Sequence, residues 1–200
     1  MNDTFKTIKD TAKGLLTEKK SKFIAFAVPV ESIEEIKLKI EEYRKEYYDA
    51  RHICWAYMLG HDRKDFRAND DGEPSGTAGK PILGQINSNE LTNVLVLVIR
   101  YFGGIKLGTS GLISAYKGAA YEAIANAEII EKTVDADITF KFEYLFLNDV
   151  MKIIKDLEPQ ILKQQFDMDC IMSLRIRQSE FQQLKDRLEK IESLSVFDNN

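Results

Sequence analysis

At 200 residues the chain has room for one or two ordinary domains and can bury about 70% of its unfolded surface, so it needs no disulfide staples. Its 44% hydrophobic and 30% charged residues fit a globular protein, and a formal net charge of -4 excludes wholesale coating of nucleic acid. The apolar run at residues 94–99 falls far short of the roughly 20 that span a bilayer, so no membrane partner is expected. With two distant cysteines, Cys54 and Cys170, and no leader-like start, the expected location is a reducing cytoplasm.

Residues 21–30 read as a strand. Ser32 with Glu35 three positions on is a capping box, opening a helix whose stripe is Ile33, Ile36, Ile40, Tyr43 and Tyr47. Residues 53–59 form a second strand, after which about 30 residues pass with little periodicity. So long a loop in a compact domain is usually functional. Residues 93–102 form a strand that is apolar on both faces and therefore needs cover on both, which makes it central. A helix over 111–127 follows, with small residues at Ala119, Ala123 and Ala127 in its stripe for close packing.

The composition changes near residue 134. Residues 1–134 carry 19 basic and 19 acidic side chains, whereas 135–200 carry 9 and 13, so all the net acidity is C-terminal. Two domains are expected, 1–134 and 135–200. In the second, Ala136, Ile138, Phe140, Phe142, Tyr144 and Phe146 alternate as a one-sided strand, and a helix over 150–157 is stopped by Pro159. Two strands flank a turn at 167–169, Phe181, Leu184, Leu188 and Ile191 mark another helix, and 194–197 a last strand. That order, βαββαβ, is the ferredoxin-like pattern. Phe140, Phe142 and Tyr144 share the apolar face and so read as core, leaving Lys141, Glu143, Arg175 and Arg177 outside and the sheet a poor platform for RNA.

Of the chemical constellations, His52, Cys54 and His61 lack the paired spacing of a metal site, and Cys54 beside Trp55 reads as a buried small hydrophobe. Ser114 and Lys117 match S-x-x-K without its companion motifs, and Pro74 and Pro81 stand where a P-loop needs Gly and Ser or Thr. No catalytic residue, metal or cofactor is expected. Asp70, Asp71 and Glu73 are the acids of the long loop; a small-molecule or phosphate-ester hydrolase built on them is the alternative reading. Arg51 is a candidate partner for one of these carboxylates, and Pro74 stiffens the loop. The stronger pattern is anionic. Residues 91–121 hold no acid, Arg100 and Lys106 are basic, and Gly108, Thr109, Ser110 and Gly111 open a helix whose free N–H groups favour phosphate. Tyr101 and Phe102 are able to stack a base.

The segments ARHICWAY at 50–57, DDGEPSGTAGKPIL at 70–83 and VIRYFGGIKLGTSG at 98–111 resemble the signature of the YigZ/IMPACT family over residues 15–127, with Ser110 departing from a common glycine. The resemblance implies an N-terminal α/β sandwich of the ribosomal-protein-S5 domain 2-like class, similar to domain IV of the translocating elongation factor. It also implies a C-terminal domain similar to that factor's domain V and, from the eukaryotic relatives, regulation of translation. The expectation is an α+β, non-catalytic protein that binds RNA, the ribosome or a translation factor, or else a phosphate-bearing small ligand. The surface expected to do so joins Arg100, Tyr101, Phe102, Lys106, Thr109 and Ser110 to a loop surface of Arg51, His52, Asp70, Asp71, Glu73, Pro74, Ser75 and Thr77.

Overall fold

The computed structural model describes residues 3–167 and 169–197. It divides into two compact units, Phe5–Lys132, and Met1–Thr4 together with Thr133–Asn200, both of mixed α and β structure. Asp3 and Thr4 join the second unit because the Asp3 carbonyl accepts from Val134 N–H at 2.6 Å and its carboxylate accepts from Arg177 at 2.6 and 2.8 Å. The Arg177 hydrogen bonds hold the Asp3 carboxyl well below the usual carboxylate range. No division of the sequence by composition could anticipate that return of the chain's start.

The first stretch runs β1 (Thr4–Ile8), β2 (Ala12–Glu18), β3 (Ser21–Pro29), α1 (Ile33–Glu46), β4 (His52–Leu59), β5 (Asp65–Asn69), α2 (Gly79–Ser88), β6 (Val94–Tyr101), α3 (Gly108–Ala125) and β7 (Ile129–Thr133). Strands β2, β3, β6, β4 and β5 form, in that order, one antiparallel sheet, and β1 pairs with β7 separately. The middle strand is β6, as its two apolar faces require. Leu95, Leu97 and Ile99 pack with Ile36 of α1 on one face, while Val94, Val96 and Val98 pack with α2 and α3 on the other. All six are fully buried, at about 1.5–3 kcal/mol each. Gly14 of β2 lies so close to the α3 backbone at Glu122 and Ala123 that a Cβ there would overlap it.

Three local features depart from the sequence expectations. The span after β4 is not one loop, since it contains β5 and α2. β5 is an edge strand of mostly exposed residues with no apolar alternation, and α2 begins Gly79-Lys80-Pro81, so neither advertises itself. The helix α3 starts at Gly108 rather than 111. Finally, β2 and β3 are joined by Lys19-Lys20 alone, both at positive φ (44° and 66°). A two-residue hairpin of this hand normally takes Asn-Gly, so lysine gives no warning of it. The box at α1 holds in modified form: Ser32 Oγ accepts from Glu35 N–H at 3.1 Å, but Glu35 Oε2 accepts from Glu31, one residue before the cap.

The second unit continues with β8 (Asp135–Glu143), α4 (Leu147–Leu157), β9 (Gln160–Phe166), β10 (Asp169–Arg177), α5 (Gln178–Leu188) and β11 (Ser195–Phe197). Its antiparallel sheet has the order β11-β8-β10-β9. Met168, in the turn expected at 167–169, lies outside the described residues. Phe140 and Phe142 are core, with Ile153 and Ile154 of α4 and Leu184 and Leu188 of α5. Tyr144 is not, being 61% exposed: β8 ends at Glu143 and the chain turns at Tyr144–Phe146 to enter α4 before the alternation is complete. On the outer face Arg175 grips Asp137 opposite it at 2.7 and 2.9 Å, and Lys141 meets Asp169 at 2.7 Å. These cross-strand pairs account for the charges there as a solvated sheet face.

Candidate nucleic-acid interface

A cavity of about 760 Å³ opens where β6 ends and α3 begins, and it gathers residues from four segments of the first unit. From β6 and its turn come Arg100, Tyr101, Phe102 and Lys106; from α3, Gly108, Thr109 and Leu112; from the start of β4 and the residues before it, His52, Asp49 and Arg51; from the loop, Glu73 and Pro74. A concave site of this size is ordinary for a small ligand or one nucleotide. Gly103 fixes the turn, because a Cβ there would overlap the Lys20 carbonyl, and its N–H donates to Ser21 Oγ at 3.1 Å.

The electrostatics centre on Arg100. Its side chain is 9% exposed, its Nη1 donates to Glu73 Oε1 at 2.5 Å, and Tyr116 Oη donates to the same oxygen at 2.8 Å. The guanidinium carbon stands 5.6 Å from the Phe23 ring centre and 5.7 Å from that of Phe102, within cation–π range of both. Its Nε is buried with no hydrogen-bond partner, an unusual condition for a native polar atom. Arg51 and Lys106 form no ion pair among the described residues. The N-terminus of α3 has neither a side-chain cap nor an acid in its first turn, which leaves N–H donors and the positive end of the helix dipole for an anion.

The expected loop surface is brought only partly to this place. Arg51, His52, Glu73 and Pro74 line the cavity, whereas Asp70, Asp71, Ser75 and Thr77 do not, nor does Ser110 of the helix start. Arg51 pairs with none of the acids. Asp71 instead bonds Arg44 at 2.6 Å and the Ile53 N–H at 2.7 Å, and Arg100 takes Glu73. Asp70 accepts from the N–H groups of Gly76, Ala78 and Gly79 at 2.8, 3.0 and 2.8 Å, and so caps α2 from nine residues upstream of Gly79. Burial, the largest single influence on its carboxyl, pushes the pKa up, but the three N–H bonds together hold it below the ordinary value. Thr77 Oγ1 donates to Pro74 O at 2.6 Å within the loop. His52 Nδ1 lies 2.8 Å from Asp71 O, which places the proton on Nδ1.

Cys54 is fully buried, with Sγ 3.0 Å from Asp70 O and 3.4 Å from Tyr116 Oη, and burial pushes its thiol up to about 12. It is a structural thiol rather than a nucleophile. Among the described residues no group of three or more His, Cys, Asp or Glu side chains is arranged to hold a metal ion. Of the two adjacent aromatics, Tyr101 packs toward the α1 side and donates to Asp49 Oδ1 at 2.7 Å, while Phe102 stays 56% exposed at the cavity. Sequence reasoning overlooked Asp49, Leu107 and Leu112 in the lining, and the basic stretch Lys19, Lys20 and Lys22 nearby. Only that cluster of lysines gave a signal, and nothing in it tied residue 20 to residue 103.

Residues 19–124 match the Impact N-terminal domain. The chain is 35% identical over 160 residues to the IMPACT family member YigZ of Escherichia coli (strain K12), spanning 79% of this chain and 78% of that protein. It is 33% identical over 156 residues to the IMPACT family member YvyE of Bacillus subtilis (strain 168), spanning 78% and 72%. A solved structure described as a hypothetical protein matches over 100% of both chains with 27% identity and a TM-score of 0.76. A family model covering more than half of the chain, together with relatives this similar over most of their length, establishes that the chain belongs to the IMPACT family.

Proposed function

We propose that this protein is a non-catalytic, cytoplasmic RNA-binding protein of the translation apparatus that grips a backbone phosphate in the cavity between β6 and α3. The observation that carries the reading is Arg100, a buried guanidinium with an unpartnered Nε in the wall of a cavity that also presents Arg51, Lys106 and an uncapped helix start. An orphaned donor of this kind costs about 1–3 kcal/mol unless a ligand supplies an acceptor. No observation favours the hydrolase: Asp70 and Asp71 are held by the loop's own backbone, by Ile53 N–H and by Arg44.

A role in regulating translation is part of the proposal, supported by membership of the IMPACT family, whose eukaryotic members imply that role. The finer fold assignments belong with it. The order β11-β8-β10-β9 supports a ferredoxin-like second domain, and the antiparallel sheet with α2 and α3 on one face supports the S5 domain 2-like class for the first. The proposed domains, 1–134 and 135–200, are kept as folding units divided near residue 134, with Asp3 and Thr4 joining the second.

The test is RNA binding against salt. If Lys106 neutralises one phosphate of a single strand, Lys106→Ala lowers the slope of log K against log salt by about 0.7 and weakens all sequences alike. No binding by the intact protein at low salt, or an unaltered slope in the variant, overturns the reading.

A further inference from the structure

The cavity does not stand alone on its surface. Gly103, the residue after Phe102, is packed against the backbone of Lys20 and Ser21, so the Lys19-Lys20 hairpin tip is held beside the end of β6. Lys22 on β3 is paired with Tyr101 on β6, one residue before Phe102. Lys19, Lys20 and Lys22 are all exposed, and none forms an ion pair among the described residues. Both tip lysines sit at positive φ, where a side chain other than Asn or Gly is strained. The hairpin thus holds two exposed lysines beside the residue that follows Phe102 of the cavity wall.

The second observation is the exposed ring of Phe102. It lies over Arg100 on one side and contributes to the cavity wall, a flat apolar surface beside the phosphate-binding groups. A bare phosphate needs no such ring. A nucleotide does, because an unstacked base recovers on an aromatic side chain the stacking it has lost.

Resting on the phosphate-binding reading above, we propose that the site recognises single-stranded RNA: one unstacked nucleotide enters the cavity, its base on Phe102 and its phosphate at Lys106 and the start of α3. The neighbouring phosphates run over the Lys19-Lys20 tip and Lys22. A duplex is refused, since its bases are already stacked on one another. A free mononucleotide fills the cavity but leaves the lysine track empty, and therefore binds more weakly than a strand.

The experiment measures binding of an eight-nucleotide single strand, the duplex of the same sequence, adenosine monophosphate and inorganic polyphosphate by calorimetry. It uses the full chain and its Phe102→Ala, Phe102→Leu, Lys106→Ala and Lys19→Asn/Lys20→Gly variants. Asn-Gly suits the positive-φ positions better than Lys-Lys, so the double variant keeps the hairpin and raises the unfolding midpoint. It is expected to lower the salt slope for the single strand by about 1.4, two phosphates at about 0.7 each. Phe102→Ala is expected to weaken the single strand roughly 5- to 150-fold and leave polyphosphate unchanged, with Phe102→Leu keeping the apolar cover over Arg100 and still losing most of the stacking. The inference is overturned by duplex or mononucleotide binding as tight as the strand, by equal losses for strand and polyphosphate in both Phe102 variants, or by an unchanged slope in the hairpin variant. If Lys106→Ala weakens every anion and any of these overturning results is found, the phosphate site stands and only the single-strand inference falls. If Lys106→Ala weakens none, the phosphate reading itself is lost.

Discussion

Replacing Arg100 with methionine should destabilise the first unit by about 2–4 kcal/mol, and adding Glu73→Gln should restore at least half of that loss. Removing one partner of a buried ion pair ordinarily costs about 3–5 kcal/mol, because the other charge stays buried without compensation. Glu73 and Arg100 are 4% and 9% exposed at the side chain, so the pair qualifies. Two details of the site reduce the figure. The Tyr116 hydroxyl remains on Glu73 Oε1 at 2.8 Å, and methionine removes the unpartnered Nε, a defect worth about 1 kcal/mol. Glutamine at 73 then takes away the stranded charge while its carbonyl still accepts from Tyr116. For a unit of this size each kcal/mol moves the midpoint by about 3–5 °C, so the single variant should lose about 10 °C. Urea unfolding followed by tryptophan fluorescence isolates the effect, since Trp55 on β4 is the one tryptophan in the sequence and lies in the first unit. A single variant within about 0.5 kcal/mol of the parent, or a double variant whose loss equals the sum of the two singles, would refute a buried, coupled pair.

Other substitutions separate the elements of the same surface. Asp70→Ala removes the acceptor that caps α2 and should cost about 1–2 kcal/mol, with faster hydrogen exchange at Gly76, Ala78 and Gly79. Because the folded carboxyl titrates below its unfolded value, this stabilisation is complete above about pH 4 and disappears as the pH falls through the folded pKa; protection of those amides that is indifferent to acid would exclude the assignment. Arg51→Ala should leave stability within about 0.5 kcal/mol and exchange across residues 66–80 unchanged, since Arg51 holds none of the loop acids, while lowering the RNA salt slope. Gly14→Ala forces β2 away from α3 and should cost about 1–3 kcal/mol or more in thermal unfolding, whereas Gly84→Ala, in α2 with nothing within 4 Å of the new Cβ, should gain about 0.5–1 kcal/mol.

The sequence by itself carried the elements whose signal is periodic and local. Residues 94–99, apolar on both faces, identify a strand with cover on both sides, and the alternation from Ala136 to Phe142 identifies a one-sided strand, because a side chain's direction follows from the period of its own element. The acid-free stretch around Lys106 likewise pointed to the uncapped start of α3, the end proposed to hold an anion, and Arg51, His52, Glu73 and Pro74, which line the same cavity, were legible through their motifs. Partnership was not legible. Arg44 reaches Asp71 across 27 residues, Arg100 reaches Glu73 across 27, and Asp70 caps a helix that starts nine residues later, all of which depend on how β4, β6 and the loop are stacked. Arg51, nearest in motif to the acids, was therefore the wrong partner. The same holds for the Lys19-Lys20 tip: its backbone is imposed by the register of β2 on β3, and its closeness to Phe102 by the bare α-carbon of Gly103, so only the tertiary structure decided that this turn belongs to the cavity.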